Sequence, residues 1–152
     1  MRSIVPIIIL SILLTGCGFK PIYSSKNSNF HVIEITNLNK NKNSFAIEQA
    51  VMSLSNQESM QKIKLEFDYN EIIDTILKDS RGDPSKKKLS ITINLIVKDV
   101  KDIILNSKIF NEEFSYDVQS DKFSMTQYEN NIIENLSNKI SNDIVFLLNT
   151  LE

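Results

Sequence analysis

Few residue types in this chain could do chemistry, and the first is a thiol. Cys17 is the one cysteine, and it closes the tetrapeptide Leu14-Thr15-Gly16-Cys17. An apolar residue and two small ones before a cysteine is the pattern of a bacterial lipobox. Small side chains at 15 and 16 let a peptidase grip extended backbone, and the sulfur is the atom that accepts diacylglycerol. The preceding stretch agrees: Met1 and Arg2 give a short positive start, and residues 4–14 form an apolar run broken only by Pro6 and Ser11. That length suits a signal-peptide core and falls short of the roughly 20 residues a spanning helix needs. The expected processing removes residues 1–16 as a leader and leaves Cys17 carrying an N-acyl (palmitate-type) chain and an S-diacylglycerol. Two or three chains, each worth about 0.8 kcal/mol per buried CH2, anchor a protein stably where one does not. Gly18 occupies the place where an aspartate would signal inner-membrane retention, so the expected location is the periplasmic side of the outer membrane.

The other candidates are weak. His31 is the one histidine, set among apolar strand residues, and reads as structural. A single histidine and an acylated cysteine cannot make a Cys/His metal site, so no metal ligands are expected. Asp99 with Asp102, or Glu112 with Glu113, could pair as acid and base, but at charged hairpin ends they read as solvated carboxylates. The serines lack a Gly-x-Ser-x-Gly elbow, and three glycines in 152 residues cannot build a phosphate cradle. The chain therefore reads as non-catalytic, with no cofactor apart from its lipid. Lys86, Lys87 and Lys88, with Arg81 five residues earlier, put four cations around one hairpin tip. A bisphosphorylated lipid head would suit them through charge-assisted hydrogen bonds; so would a merely solubilising role. Arg81-Gly82-Asp83 spells an integrin-type tripeptide and reads as a turn. Phe110, Phe114, Tyr116 and Phe123 are either a core row or an exposed partner surface, with the core as the expectation.

The elements that position these residues follow from periodicity. Residues 24–29 are polar and patternless, so residues 17–29 read as a lipidated tether and 30–152 as one domain. Residues 30–35 predict a strand. Ser44 can cap a helix whose Ile47, Ala50, Val51 and Leu54 share a stripe ending near Asn56. Residues 62–69 alternate strictly, with Ile63, Leu65, Phe67 and Tyr69 on one face. Ile72, Ile73, Ile76 and Leu77 allow helix or strand; the reading adopted is a strand continuing past a bulge near Asn70. Residues 80–84 form a turn, and Leu89, Ile91, Ile93, Leu95 and Val97 complete a hairpin. A further strand is predicted over 103–118. Thr126 and Glu129 read as a capping box for a helix striped by Ile133, Leu136, Ile140, Ile144, Leu147 and Leu151. The predicted class is α+β: a two-layer sandwich, order β-α-β-β-β-α, with two helices on one face of a four-stranded, largely antiparallel or mixed sheet. With 17 Lys+Arg against 19 Asp+Glu the net charge is −2, so the chain is no general polyanion binder and nucleic acid is not an expected partner. No disulfide is available to staple the fold.

The stretch Cys17-Gly18-Phe19-Lys20-Pro21-Ile22-Tyr23 resembles the mature start of the LPS-assembly lipoprotein family LptE, in its alphaproteobacterial form. The order of elements is similar as well, including a terminal helix introduced by a Tyr and an acidic residue, here Tyr128 and Glu129. The resemblance implies an outer-membrane lipoprotein that plugs the LptD β-barrel, aids its assembly and binds lipopolysaccharide in transit, without catalysis. The family's basic lipopolysaccharide contacts do not map position by position onto this chain, so Arg81, Lys86, Lys87 and Lys88 are candidates on their chemistry alone. The alternative is an accessory lipoprotein of another envelope lipid-transport complex.

Overall fold

The computed structural model describes residues 28–151; the leader, Cys17 and the tether up to residue 27 lie outside the described residues. The chain runs β1 (Phe30–Asn37), α1 (Lys42–Ser53), β2 (Gln61–Lys78), β3 (Pro84–Lys98), β4 (Ile104–Asp117) and α2 (Lys122–Asn149). This is the α+β order that the periodicities predict. The sheet order is β1-β2-β3-β4, with β1 parallel to β2 and the other pairs antiparallel. Parallel neighbours cannot be joined by a tight turn, so α1 serves as the crossover between β1 and β2.

Alternation decides which face is buried. Ile63, Leu65, Phe67 and Tyr69 of β2 and every odd residue from Leu89 to Val97 of β3 are at most 4% exposed. Their even-numbered neighbours Lys64, Glu66, Asp68 and Asn94 lie on the other, open face, as expected of a half-solvated sheet. The helices cover the apolar face. From α2 the residues Ile133, Leu136, Ile140, Ile144 and Leu148 are buried, each worth about 1.5–3 kcal/mol of transfer free energy. Leu147, placed on the stripe by spacing, is only partly buried.

Several local expectations need correction. Ser44 does not cap α1; Asn41 does. The Asn41 side chain accepts from Ser44 N (2.8 Å) while Ser44 Oγ accepts from Asn41 N (2.8 Å), a reciprocal box with serine in the third helical position. The helix ends at Ser53 rather than near Asn56. Nor do Thr126 and Glu129 open α2. The cap is Asp121, whose carboxylate accepts from Ser124 N at 2.8 Å, and Thr126 lies one turn inside with its hydroxyl donating to Lys122 O. The segment 72–77 is strand, but its irregularity lies between Thr75 and Lys78, not at Asn70. In β1 a register shift between Val32 and Glu34 leaves Ile33 and Glu34 both exposed and moves burial from Phe30 and Val32 to the opposite parity at Asn37.

Candidate functional site

Two ends of the sheet carry the exposed chemistry. At one end β2 and β3 run on past the helices. Beyond Tyr69 both faces of β2 are exposed, Ile73 on the helix face and Ile72 and Leu77 on the open one: Ile72, Ile73, Ile76 and Leu77 are 41–58% exposed, and Phe114 and Phe123 are 44% and 71% exposed. The aromatic set thus divides, with Phe110 and Tyr116 in the core and Phe114 and Phe123 in solvent. The connecting turn is built on Asp79. Its carboxylate accepts from Arg81 N (2.9 Å) and Asp83 N (3.0 Å), and these backbone donors hold its pKa below the ordinary carboxylate value. Gly82 supplies the left-handed residue the turn needs, at φ +90°.

Strand alternation separates the three lysines that are adjacent in sequence. Lys86 and Lys88 lie on the open face, beside Leu77 and Asp74. Lys87 lies on the helix face and reaches Glu129 at 3.2 Å. Arg81 is occupied by Asp79 at 3.2 Å, and Lys88 by Glu113 at 3.3 Å. The structure therefore brings Lys86 and Lys88 together with Leu77 and Ile72 on one face, and assigns Lys87 elsewhere.

Where Lys87 goes is the best-built polar site. Glu129 accepts from the Tyr116 hydroxyl at 2.7 Å as well as from Lys87, and Tyr116 packs edge-on to Tyr128 with centroids 5.9 Å apart. Burial first, and then the Glu129 carboxylate, push the Tyr116 pKa above its ordinary value. The side chain that the spacing reads as half of a cap thus clamps α2 to β3 and β4. Tyr69 repeats the device with Glu71 at 2.7 Å, its phenol raised by burial and that carboxylate.

The other end collects the start of β1, the start of β2, the β3–β4 turn and the end of α2. Asn29 N donates to Asn149 Oδ1 (3.0 Å) and Gln61 Nε2 to Leu151 O (3.3 Å), so the chain from Cys17 enters the domain here. His31 is half-buried, with Nδ1 unpartnered. Asp99 organises the β3–β4 turn, Asp102 pairs with Lys64 at 2.8 Å, and Glu112 pairs with Lys139 at 2.7 Å. Among the described residues no group of His, Cys, Asp or Glu could hold a metal ion, and no helix is long and apolar enough to cross a membrane.

Fold and exposed ends define a class: a small two-layer α+β domain whose long hairpin outruns its helices. Solved bacterial lipoproteins share that fold. Lipoprotein B from Nitrosomonas europaea superposes with a TM-score of 0.63 at 12% identity, covering 84% of this chain and 88% of the other. Rare lipoprotein B from Shewanella oneidensis gives 0.60 at 6% identity, with 78% and 93% covered. A minor lipoprotein from Acinetobacter baumannii gives 0.56 at 11% identity, with 77% and 90% covered. No protein-family model matches the sequence, and no curated protein matches it.

Proposed function

We propose that this chain is an LptE-type lipoprotein of the outer membrane, lipidated on Cys17, that acts as plug and assembly partner of an LptD-like β-barrel in lipopolysaccharide transport. The observation that carries this reading is the fold shared with rare lipoprotein B, in a chain whose residues 14–23 combine a lipobox with an LptE-like mature start. The overhanging hairpin supports it physically. Ile72 and Leu77 beside Lys86 and Lys88 on one face offer aliphatic surface and ammonium groups together, which suits an amphiphile with a phosphorylated head. Lysines in place of arginines recognise phosphate as point charges rather than by bidentate geometry. In this reading the protein catalyses nothing and needs no cofactor beyond its acyl chains.

Affinity capture of the full-length protein from native outer membrane tests the proposal. A co-purifying barrel of LptD size, with lipopolysaccharide, is the expected result. A different transport complex in its place would favour the accessory-lipoprotein alternative and overturn the plug reading.

A further inference from the structure

The two hairpin turns share one skeleton and differ in chemistry. In the β2–β3 turn, Asp79 N donates to Asp83 O and Gly82 N to Asp79 O. In the β3–β4 turn, Asp99 N donates to Ile103 O and Asp102 N to Asp99 O. Each leading aspartate accepts from the residues two and four ahead: Arg81 and Asp83 in one, Lys101 and Ile103 in the other. The fourth residue is left-handed in both, Gly82 at φ +90° and Asp102 at φ +64°. The sequences are DSRGD and DVKDI. The turn itself therefore demands no apolar residue at its second or fifth place, since Ser80 and Asp83 fill those places in the first turn. Yet Val100 and Ile103 fill them in the second, 50% and 59% exposed.

They are not alone there. Met60 is fully exposed, and Ile104 and Leu105 are 59% and 43% exposed. Met60, Val100 and Leu105 line one shallow depression with Leu151. Lys62 and Asp99 also line it, and Lys101 stands exposed in the adjoining turn. Contiguous apolar side chains fringed by lysines are what an interfacial lipid contact requires. The covalent path to a bilayer starts at the same end. Ser28, whose carbonyl accepts from Asn56 Nδ2, is eleven residues from Cys17, a reach of at most about 40 Å at ~3.6 Å per residue. A lipid on Cys17 thus confines this end, and not the hairpin tip, to the neighbourhood of the leaflet.

We propose that this end of the sheet, through Met60, Val100, Ile103 and Leu105, rests in the headgroup–acyl boundary of the leaflet that holds the Cys17 lipid, fixing the orientation of the domain as well as its distance. The proposal rests on lipidation at Cys17 and is independent of barrel binding. Because the chain contains no tryptophan, single reporters are clean: Val100→Trp at the apolar turn and Ser80→Trp at the equivalent place of the polar one. Full-length lipidated protein, its acylation verified by mass, is reconstituted into phosphatidylethanolamine/phosphatidylglycerol vesicles with or without brominated acyl chains. The expected result is a blue-shifted Val100→Trp emission quenched several-fold more than that of Ser80→Trp. Equal or absent quenching in protein that sediments with the vesicles overturns the proposal. So does shielding of the reporter that requires a co-purified barrel, which would mark a protein contact. Protein that does not sediment with vesicles overturns it through its premise, while barrel capture remains a separate result. A Met60→Trp reporter should lose its quenching when Val100→Ser and Ile103→Asp are added. That pair copies the sister turn, so an unchanged melting temperature distinguishes lost docking from lost folding.

Discussion

Replacing Glu129 by alanine removes the acceptor shared by Tyr116 and Lys87, and the two losses differ in size. The Tyr116 hydroxyl bonds Glu129 at 2.7 Å in a residue only 3% exposed. Hydrogen bonds to charged groups contribute about 1.5–3 kcal/mol, and a stranded buried hydroxyl costs about 1–3 kcal/mol. Lys87, with 27% of its side chain exposed, can turn to water, so its ion pair contributes about 0–1 kcal/mol. Glu129→Ala should therefore cost roughly 2–3 kcal/mol, a fall in melting temperature of about 10 °C for a domain of this size. Glu129→Gln, which keeps an acceptor, should cost about half of that. The assay is urea or thermal unfolding of a double-mutant cycle with Tyr116→Phe, in which a coupling of about 1–2 kcal/mol is expected. If Glu129 instead served the helix start, as its spacing from Thr126 suggests, it would couple to Thr126→Ala and not to Tyr116→Phe. That outcome would refute the clamp.

Other consequences are open to the same unfolding assays. Tyr69 and Tyr116 both have pKa values raised above 10.0 by burial and a carboxylate. Unfolded tyrosine ionises near 10 while the folded ones resist, so stability is complete below pH 10 and is lost as pH rises above it, by about 1.4 kcal/mol per pH unit per tyrosine. Tyr116→Phe should halve that alkaline slope; an unchanged slope would contradict the assignment. Asp121→Ala should cost about 1 kcal/mol as a lost cap, and Thr126→Ala less than about 0.5 kcal/mol; the reverse order would return the cap to Thr126. Leu95→Ala, at 1% exposure in the centre of the sheet, should cost about 2–5 kcal/mol. Val100→Ser with Ile103→Asp should stay within about 0.5 kcal/mol of the parent.

The legible parts were those in which one period ran unopposed. Every odd residue from Leu89 to Val97 is apolar and buried, and of the residues between them Ser90, Thr92 and Asn94 are polar while Ile96 is apolar and only half-buried. The α2 stripe holds as spaced from Ile133 to Ile144 and departs at its end, where Leu148 is buried in place of Leu147 and Leu151 lies past the last helical residue, Asn149. Caps misled because several residues could serve: Asn41 and Ser44 each have a side-chain oxygen, and only the backbone path decides which one is the cap. The same holds for Asp121 and Thr126. The lysine triplet misled for a different reason. Adjacent residues in a strand point to opposite faces, and the alternation that buried Leu89 also sent Lys87 toward Glu129, away from Lys86 and Lys88. The apolar end is legible in the sequence too: DVKDI set beside DSRGD at matching places marks Val100 and Ile103 as surplus to the turn.

Distance connects the two exposed ends. β2 has 18 residues, and at about 3.3 Å each it spans up to about 60 Å from Gln61 beside the tether to Lys78 beside the hairpin tip. A bilayer with its headgroups is about 40–45 Å thick. In the proposed barrel complex, a domain whose Val100 end protrudes from the periplasmic mouth onto the leaflet beside the barrel, with its sheet along the barrel axis, carries Leu77 and Lys86 through the lumen toward the level of the outer headgroups. A cationic, aliphatic surface is useful there, because an amphiphile leaving the lumen exchanges its surroundings at that level. Photoreactive residues make the orientation measurable: with the barrel co-expressed, a probe at Leu77 should form adducts with the barrel or lipopolysaccharide, and one at Val100 with phospholipid. Barrel adducts at Val100 together with phospholipid adducts at Leu77 would invert the domain and break the connection between its two ends.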